Sequence, residues 1–186
     1  MRLVSIILPA VALCFGATTV LAATSIKEAC GAGKVLSTTV IPYGDQQLTI
    51  TETHCPGFEA LGYNSSRSGN EKRDVQQCNE NCSNSCTITA TKASFPACQA
   101  LTNSLASLAF QSFVMTGGTT QTFTLGGACV YTYANYDGYT YDVCYSDFAN
   151  VGETTANYCI QGIGTGAGIC NAPMVQYEYW AVEVSA

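Results

Sequence analysis

The chain has 186 residues, 47% of them hydrophobic and 11% charged, and a formal net charge of -6 at pH 7. From Asp74 to the end, its only basic residue is Lys92. Nucleic acids and anionic membranes are held by clustered Lys and Arg side chains, so this composition excludes both as expected partners. The length suits one domain of ordinary size, with enough apolar residues for a core.

The first 22 residues have the order of a cleavable secretory signal. Arg2 precedes an apolar run over residues 3–15, and small residues follow up to Ala22 and Ala23. The run is shorter than the roughly 20 apolar residues that a spanning helix needs, and no later segment predicts a membrane span. We therefore expect residues 1–22 to be removed and the protein to be extracellular.

Cysteines dominate the rest of the chain. Cys14 lies inside the signal, and the ten that remain indicate up to five disulfides, because exported chains meet an oxidising environment. Their spacing does not identify the pairs. The N-glycosylation acceptor motifs at Asn64 and Asn81 agree with export. The ten cysteines are Cys30, Cys55, Cys78, Cys82, Cys86, Cys98, Cys129, Cys144, Cys159 and Cys170.

The first predicted elements form a hairpin. Val35 to Ile41 and Leu48 to Thr53 read as extended strands, and the turn residues 42–45 separate them. Two strands with a single disulfide are marginal on their own, so this hairpin either packs on the remainder or stays loosely ordered.

A polar linker over residues 61–73 ends on Lys72 and Arg73. Kexin-type proteases cut after such dibasic pairs in secretory cargo, and an exposed linker is accessible to them. Two cysteines precede the linker and eight follow it, so each side can close its own disulfides. We predict an amino-terminal segment or pro-region over 23–73 and a cysteine-rich domain over 74–186, with a solvated charge pair as the alternative reading of the dibasic site.

Beyond the linker the sequence predicts a helix and then several strands. Cys78, Cys82 and Cys86 have helical spacing, although their Asn- and Ser-rich surroundings favour a loop. The clearest helix begins near Phe95 and Pro96, with Leu101, Leu105 and Leu108 on one side. Predicted strands follow at 110–115, 121–125, 128–135, 139–145 and 175–184, with a short helix within 146–158 and a flexible loop over 162–168.

These elements predict an α+β fold, an antiparallel sheet with one or two helices packed on one face and stapled by disulfides. Asp137-Gly138 between two strand-like runs is a hairpin signal, so we predict that 128–135 and 139–145 pair directly.

No catalytic motif stands out, and we expect neither enzymatic activity nor a metal or cofactor. His54 is the only histidine and lacks a recognisable nucleophile partner. The triple cysteine cluster favours disulfides over zinc. Two nearby carboxylates could run glycoside hydrolysis, but scattered acids are usually solvated. The acids considered are Asp137, Asp142, Asp147, Glu153, Glu178 and Glu183.

Tyrosines crowd the predicted hairpin. If Asp137-Gly138 is a two-residue turn, Tyr136, Tyr139, Tyr141 and Tyr145 share one face of it. An exposed row of this kind would stack on sugar rings or anchor a protein partner, and a buried row would be core.

Three segments resemble small secreted fungal proteins: Cys78-x-x-x-Cys82-x-x-x-Cys86, the stretch from Leu125 to Tyr131, and the helix opened by Ala97-Cys98-Gln99. Over residues 78–148 the chain is similar to the virally encoded killer toxins of smut fungi and to related necrosis-inducing effectors. The resemblance implies an α/β sandwich and interference with calcium uptake in a target cell. That activity is associated with exposed basic residues, which this acidic chain lacks.

Two functional classes therefore remain open. The first is a secreted, effector-like or toxin-like protein that binds a protein target outside the producing cell. The second is a carbohydrate-binding or wall-active protein, including a glycoside hydrolase, which predicts an exposed tyrosine row or two carboxylates in a cleft.

Overall fold

The computed structural model describes residues 25–61, 74–172 and 179–186. Its strands are β1 (Lys34–Tyr43), β2 (Gln46–His54), β3 (Asp74–Gln77), β4 (Ser83–Thr87), β5 (Ser112–Met115), β6 (Thr119–Leu125), β7 (Val130–Asn135), β8 (Thr140–Cys144), β9 (Ala167–Asn171) and β10 (Trp180–Ser185). Its α-helices are α1 (Ile26–Cys30), α2 (Gly57–Ala60), α3 (Phe95–Ala106) and α4 (Tyr145–Thr155), and α4 continues into a π-helical segment, Ala156–Ile163. None of the helices described here is long and apolar enough to cross a membrane.

The strands form two sheets. Seven make an antiparallel sheet in the order β1-β2-β6-β7-β10-β9-β4, and three make a smaller sheet in the order β3-β8-β5. The predicted hairpin is present as β1 and β2, with Gly44 at a φ of +56° in its two-residue turn. It packs on the rest of the protein, because β2 pairs with β6 from Leu48 opposite Leu125 to His54 opposite Thr119. The α+β prediction is confirmed.

The core lies between the large sheet and the helices α3 and α4. Leu101 and Leu105 on α3 are fully buried, as their helical spacing predicted. Aromatic rings fill the space between the layers: the Phe123 and Phe148 ring centroids are 4.7 Å apart, and those of Phe113 and Tyr145 are 4.9 Å apart. Close-packed rings of this size each bury a large apolar area and contribute strongly to the stability of the core.

All ten cysteines of the described chain are paired. The disulfides are Cys30–Cys55, Cys78–Cys144, Cys82–Cys170, Cys86–Cys159 and Cys98–Cys129. The three clustered cysteines thus find partners elsewhere in the chain, as expected. The segment that carries them is not a helix. It is also only partly a loop, because residues 83–87 form β4 and pair with β9. The first disulfide closes within residues 25–61, and the other four close within the remainder.

The predicted pairing of 128–135 with 139–145 is wrong. β7 lies between β6 and β10 in the large sheet, whereas β8 lies between β3 and β5 in the small one. The buried Asp137 carboxylate accepts hydrogen bonds from the Gly138 and Tyr139 amides and from the Tyr141 hydroxyl. Asp-Gly therefore makes a turn, but one that carries the chain from one sheet to the other.

Other boundaries also differ from the sequence predictions. The predicted flexible loop over 162–168 ends inside β9, whose residues 167–170 are buried beside β10. The second helix runs further than 146–158, to Ile163. The predicted final strand, 175–184, covers β10 except its last residue, Ser185, and its residues 175–178 lie outside the described residues.

Candidate functional site

The face of the large sheet opposite α3 and α4 is lined by threonines. Alternate residues of β2 and β6 point to this face, while Leu48, Ile50 and Phe123 point into the core. The two strands are in register, so the threonines lie opposite one another in pairs. We call this surface the threonine face; its residues are Thr49, Thr51, Thr53, Thr120, Thr122, Thr124 and Thr132.

The hydroxyl row continues across the sheet to a carboxylate. Thr122 on β6 lies opposite Thr132 on β7, and their Oγ1 atoms are 3.3 Å apart. Thr132 in turn lies opposite Glu183 on β10. The row therefore offers hydroxyl donors and acceptors beside one strong acceptor.

Helix α1 turns part of this face into a groove of about 590 Å³. Ile26 on α1 is buried against the open face in a small apolar cluster with Ala134 and Ala181. The Cys30–Cys55 disulfide and a capping box between Ser25 and Glu28 hold the helix in place. The groove is lined by Ser25, Ile26, Lys27, Cys30, Gly31, Gly33, Thr53, Thr120, Thr122, Val130, Thr132, Glu183, Ser185 and Ala186.

Glu183 is the acidic residue of the groove. Its Oε2 accepts a hydrogen bond from the Ile26 amide at 2.7 Å. Burial raises the pKa of the Glu183 carboxyl, and the nearby Glu28 raises it further, against the opposing effect of the Ile26 hydrogen bond. A neighbouring cavity of about 330 Å³ is lined by both Glu28 and Glu183. Two carboxylates thus share a cleft at the edge of the groove.

This arrangement suits a neutral ligand that carries many hydroxyl groups. Threonine hydroxyls can donate hydrogen bonds to such a ligand and accept them from it, and the carboxylate can accept them. The threonine methyl groups cover the apolar patches of the ligand. The volume lies within the range of small-molecule and oligosaccharide-sized sites. Lys27 is the only cation among the lining residues, so the groove is poorly matched to a polyanion.

Of the two readings of the tyrosine row, exposed binding surface and core, the structure does not show the first. Tyr141 and Tyr145 are buried in the core, and Tyr136 and Tyr139 are half-buried. A flat exposed row is thus not formed, because the Tyr141 hydroxyl bonds to the buried Asp137 and the Tyr145 ring packs against Phe113 and Phe123. The core interpretation of these residues is the one that the structure supports.

The other candidates are dispersed. His54 is half-buried and lines a separate cavity of about 100 Å³ with Glu59 and Asp137. Asp147 accepts a hydrogen bond from the Asn79 amide at 2.7 Å. It also lies close to Cys78 and Cys144, but those sulfurs form a disulfide and offer no thiolate to a metal. Asn81 is exposed, while Asn64, Lys72, Arg73 and Glu178 lie outside the described residues.

Sequence reasoning named Glu183 but missed the groove around it. The signal was present, because Thr-x-Thr-x-Thr occurs at Thr49–Thr53 and at Thr120–Thr124. A third copy, at Thr87–Thr91, begins at the last residue of β4 and does not belong to this face. Glu28 was also missed, since nothing local to α1 indicates that it faces a residue 155 positions away.

Protein-family models, curated proteins and solved structures were compared with this chain, and none of them matches it.

Proposed function

We propose that this protein binds a carbohydrate outside the producing cell, in the groove on its threonine face. Five disulfides in a chain of this size are typical of a small extracellular, cysteine-rich protein. The groove itself is the observation that supports a carbohydrate ligand, because its polar lining consists mainly of hydroxyls with a carboxylate at one side.

The proposal combines the two classes that the sequence left open. A glycan on the surface of another organism is a target that an effector-like protein would meet first. Calcium-channel interference of the killer-toxin kind is not part of the proposal, since the chain lacks the basic residues associated with it.

A pelleting assay tests the proposal. The secreted protein is mixed with insoluble chitin, cellulose, β-1,3-glucan or mannan, and the bound fraction is measured after centrifugation. Thr122→Val and Thr132→Val each remove a groove hydroxyl and keep the side-chain shape. We expect each to weaken binding about two- to tenfold, since one hydrogen bond contributes about 0.5–1.5 kcal/mol.

Thr140→Val on β8 is the matched control, because this half-buried threonine belongs to the small sheet and is not among the groove residues. Retention on none of the polysaccharides, or equal losses in all three variants, would contradict the proposal. Release of reducing sugars during the same incubation, lost in Glu183→Gln, would instead show that the shared cleft of Glu28 and Glu183 is hydrolytic.

A further inference from the structure

Gln77, the last residue of β3, is a second feature that calls for a partner. Its side chain is 3% exposed, and neither its Oε1 nor its Nε2 forms a hydrogen bond with any residue that the structure describes. A primary amide that leaves water without gaining partners costs free energy, and the great majority of buried polar groups in folded proteins are paired. The Gln77 amide therefore needs a partner that the described residues do not supply.

Gln77 lines a small cavity at which three parts of the fold meet. Tyr133 on β7 and Trp180 on β10 line it from the large sheet, and Phe148 lines it from α4. Gln77 itself belongs to the small sheet, and none of the described strands of that sheet pairs with a strand of the large one. A molecule bound in this cavity would connect the two sheets.

The size of the cavity restricts what can fill it. Its volume, taken as the space open to the centre of a water molecule, is about 20 Å³. One water needs roughly 10–15 Å³ of such space, whereas sites for organic ligands have volumes of roughly 300–1,000 Å³. A sugar or any other ligand of several heavy atoms is too large, so the occupant has the size of one water molecule.

The walls of the cavity favour a neutral occupant. They are mostly apolar, with Val143, Val151 and Val182 beside the aromatic rings. A divalent cation such as Ca²⁺ takes about six to eight oxygen ligands, more than the few polar side chains around this cavity offer. One of those side chains, the Asp147 carboxylate, already accepts a hydrogen bond from the Asn79 amide at 2.7 Å.

We propose that this cavity binds one ordered water through the Gln77 amide and that the water joins the two sheets. A water can accept a hydrogen bond from Nε2 and donate one to Oε1 of the same amide, so it satisfies both atoms. Its remaining hydrogen-bonding groups are available to the hydroxyl of Tyr133, which is also buried. Internal waters typically make about three such hydrogen bonds to buried polar groups.

Magnetic relaxation dispersion of the water signal counts long-lived internal waters and tests the proposal. Gln77→Leu removes both amide atoms and keeps a side chain of similar size, and cavities without polar partners stay dry. We expect the parent protein to hold one long-lived water more than this variant. Gln76→Leu is the matched control, because Gln76 is the exposed neighbour on the same strand, and it should hold as many as the parent. Equal numbers in the parent and Gln77→Leu would overturn the proposal.

A second measurement uses the parent protein alone and does not depend on the folding of Gln77→Leu. The side-chain N–H protons of Gln77 should show a nuclear Overhauser effect to a long-lived water, whereas those of Gln76 should contact only rapidly exchanging surface water. The proposal fails if Gln77 shows no such effect. It also fails if a crystal structure shows its amide bonded to another group of the chain.

Tyr133→Phe tests the connection between the sheets. The variant removes one hydroxyl and keeps the ring, which stacks on Trp180 with the centroids 5.7 Å apart. We expect the water to stay bound but to exchange faster with solvent, because it loses one partner. Tyr158→Phe, on a tyrosine that is 53% exposed, is the control and should leave the residence time unchanged. An unchanged residence time in Tyr133→Phe would refute the connection through this water.

Discussion

At Glu183, a carboxylate is held among threonine hydroxyls and the backbone of α1, with Glu28 nearby. Its pKa is raised because burial disfavours the charged form. The sequence identified it only as one of six acids. What distinguishes it from the others is its position opposite Thr132, which depends on the pairing of β10 with β7.

The raised pKa of Glu183 predicts a pH-dependent stability. The protonated Glu183 carboxyl favours the folded state, and this stabilisation is fully present below the pKa of an unfolded Glu, about 4.3. It is lost as the pH rises through the higher pKa that Glu183 has in the folded protein. Glu183→Gln removes this titration and keeps an acceptor for the Ile26 amide. We expect the variant to unfold at a higher temperature than the parent at pH 7, with the difference closing towards pH 4.

Thermal unfolding at both pH values measures the effect, and Glu59→Gln is the control on an exposed carboxylate. If Glu183→Gln and Glu59→Gln shift the midpoint of thermal unfolding equally at pH 7, burial of Glu183 is not the cause of the shift.

Among the elements, α4 shows how closely helix and sheet approach. Gly152 faces the Tyr131 ring, and a Cβ at this position would meet the ring carbons. The Tyr131 hydroxyl donates to the Cys98 carbonyl and pairs with Thr102, both on α3, so the ring has little room to move.

Gly152→Ala should therefore destabilise the protein by about 1–3 kcal/mol through overpacking, although Ala favours a helix by about 1 kcal/mol over Gly. Chemical denaturation measures the change. Asn150→Ala on the exposed side of the same helix is the control and should be neutral or slightly stabilising. A stabilised Gly152→Ala variant would show that α4 does not pack against Tyr131 in this way.

The elements that sequence predicted best are those whose signal is local. The helix α3 follows from Leu101 and Leu105 at helical spacing, and the β1–β2 hairpin from its turn and β-branched flanks. The pairing of β7 and the placement of β8 depend on partners far along the chain, and long-range pairing overrode the local Asp-Gly signal. β3, β4 and β9 were missed because short strands rich in Gly, Asn, Gln or Ser carry little propensity.

At the scale of the whole molecule, residues 25–61 add β1 and β2 to the seven-stranded sheet, and no disulfide among the described residues joins them to the remainder. Backbone pairing between β2 and β6 connects the two parts. Two further hydrogen bonds join them, one from the Cys55 amide to the Gly118 carbonyl and one from the Ile26 amide to the Glu183 carboxylate. Each part closes its own disulfides.

We propose that the chain is cut after Arg73, at the end of the linker, whose residues 62–73 lie outside the described residues. A cut protein should then run as one species on gel filtration and separate into two chains in denaturant without reduction, because no disulfide joins them. Intact mass and amino-terminal sequencing of the secreted protein measure this. A single start near Ala23 or Thr24 would contradict the cut and make the hairpin a permanent part of one chain.

The sequence by itself determined the disulfide-rich class, the α+β fold and the helix α3, because these depend on composition, cysteine parity and local periodicity. Only the tertiary structure decided which cysteines pair, that Tyr141 and Tyr145 are core, and that Glu28 and Glu183 share a cleft. The threonine face shows the physical reason. Thr-x-Thr-x-Thr specifies that one side of β2 and of β6 is polar, but only the register of these two strands with each other and with Thr132 on β7 makes them one surface.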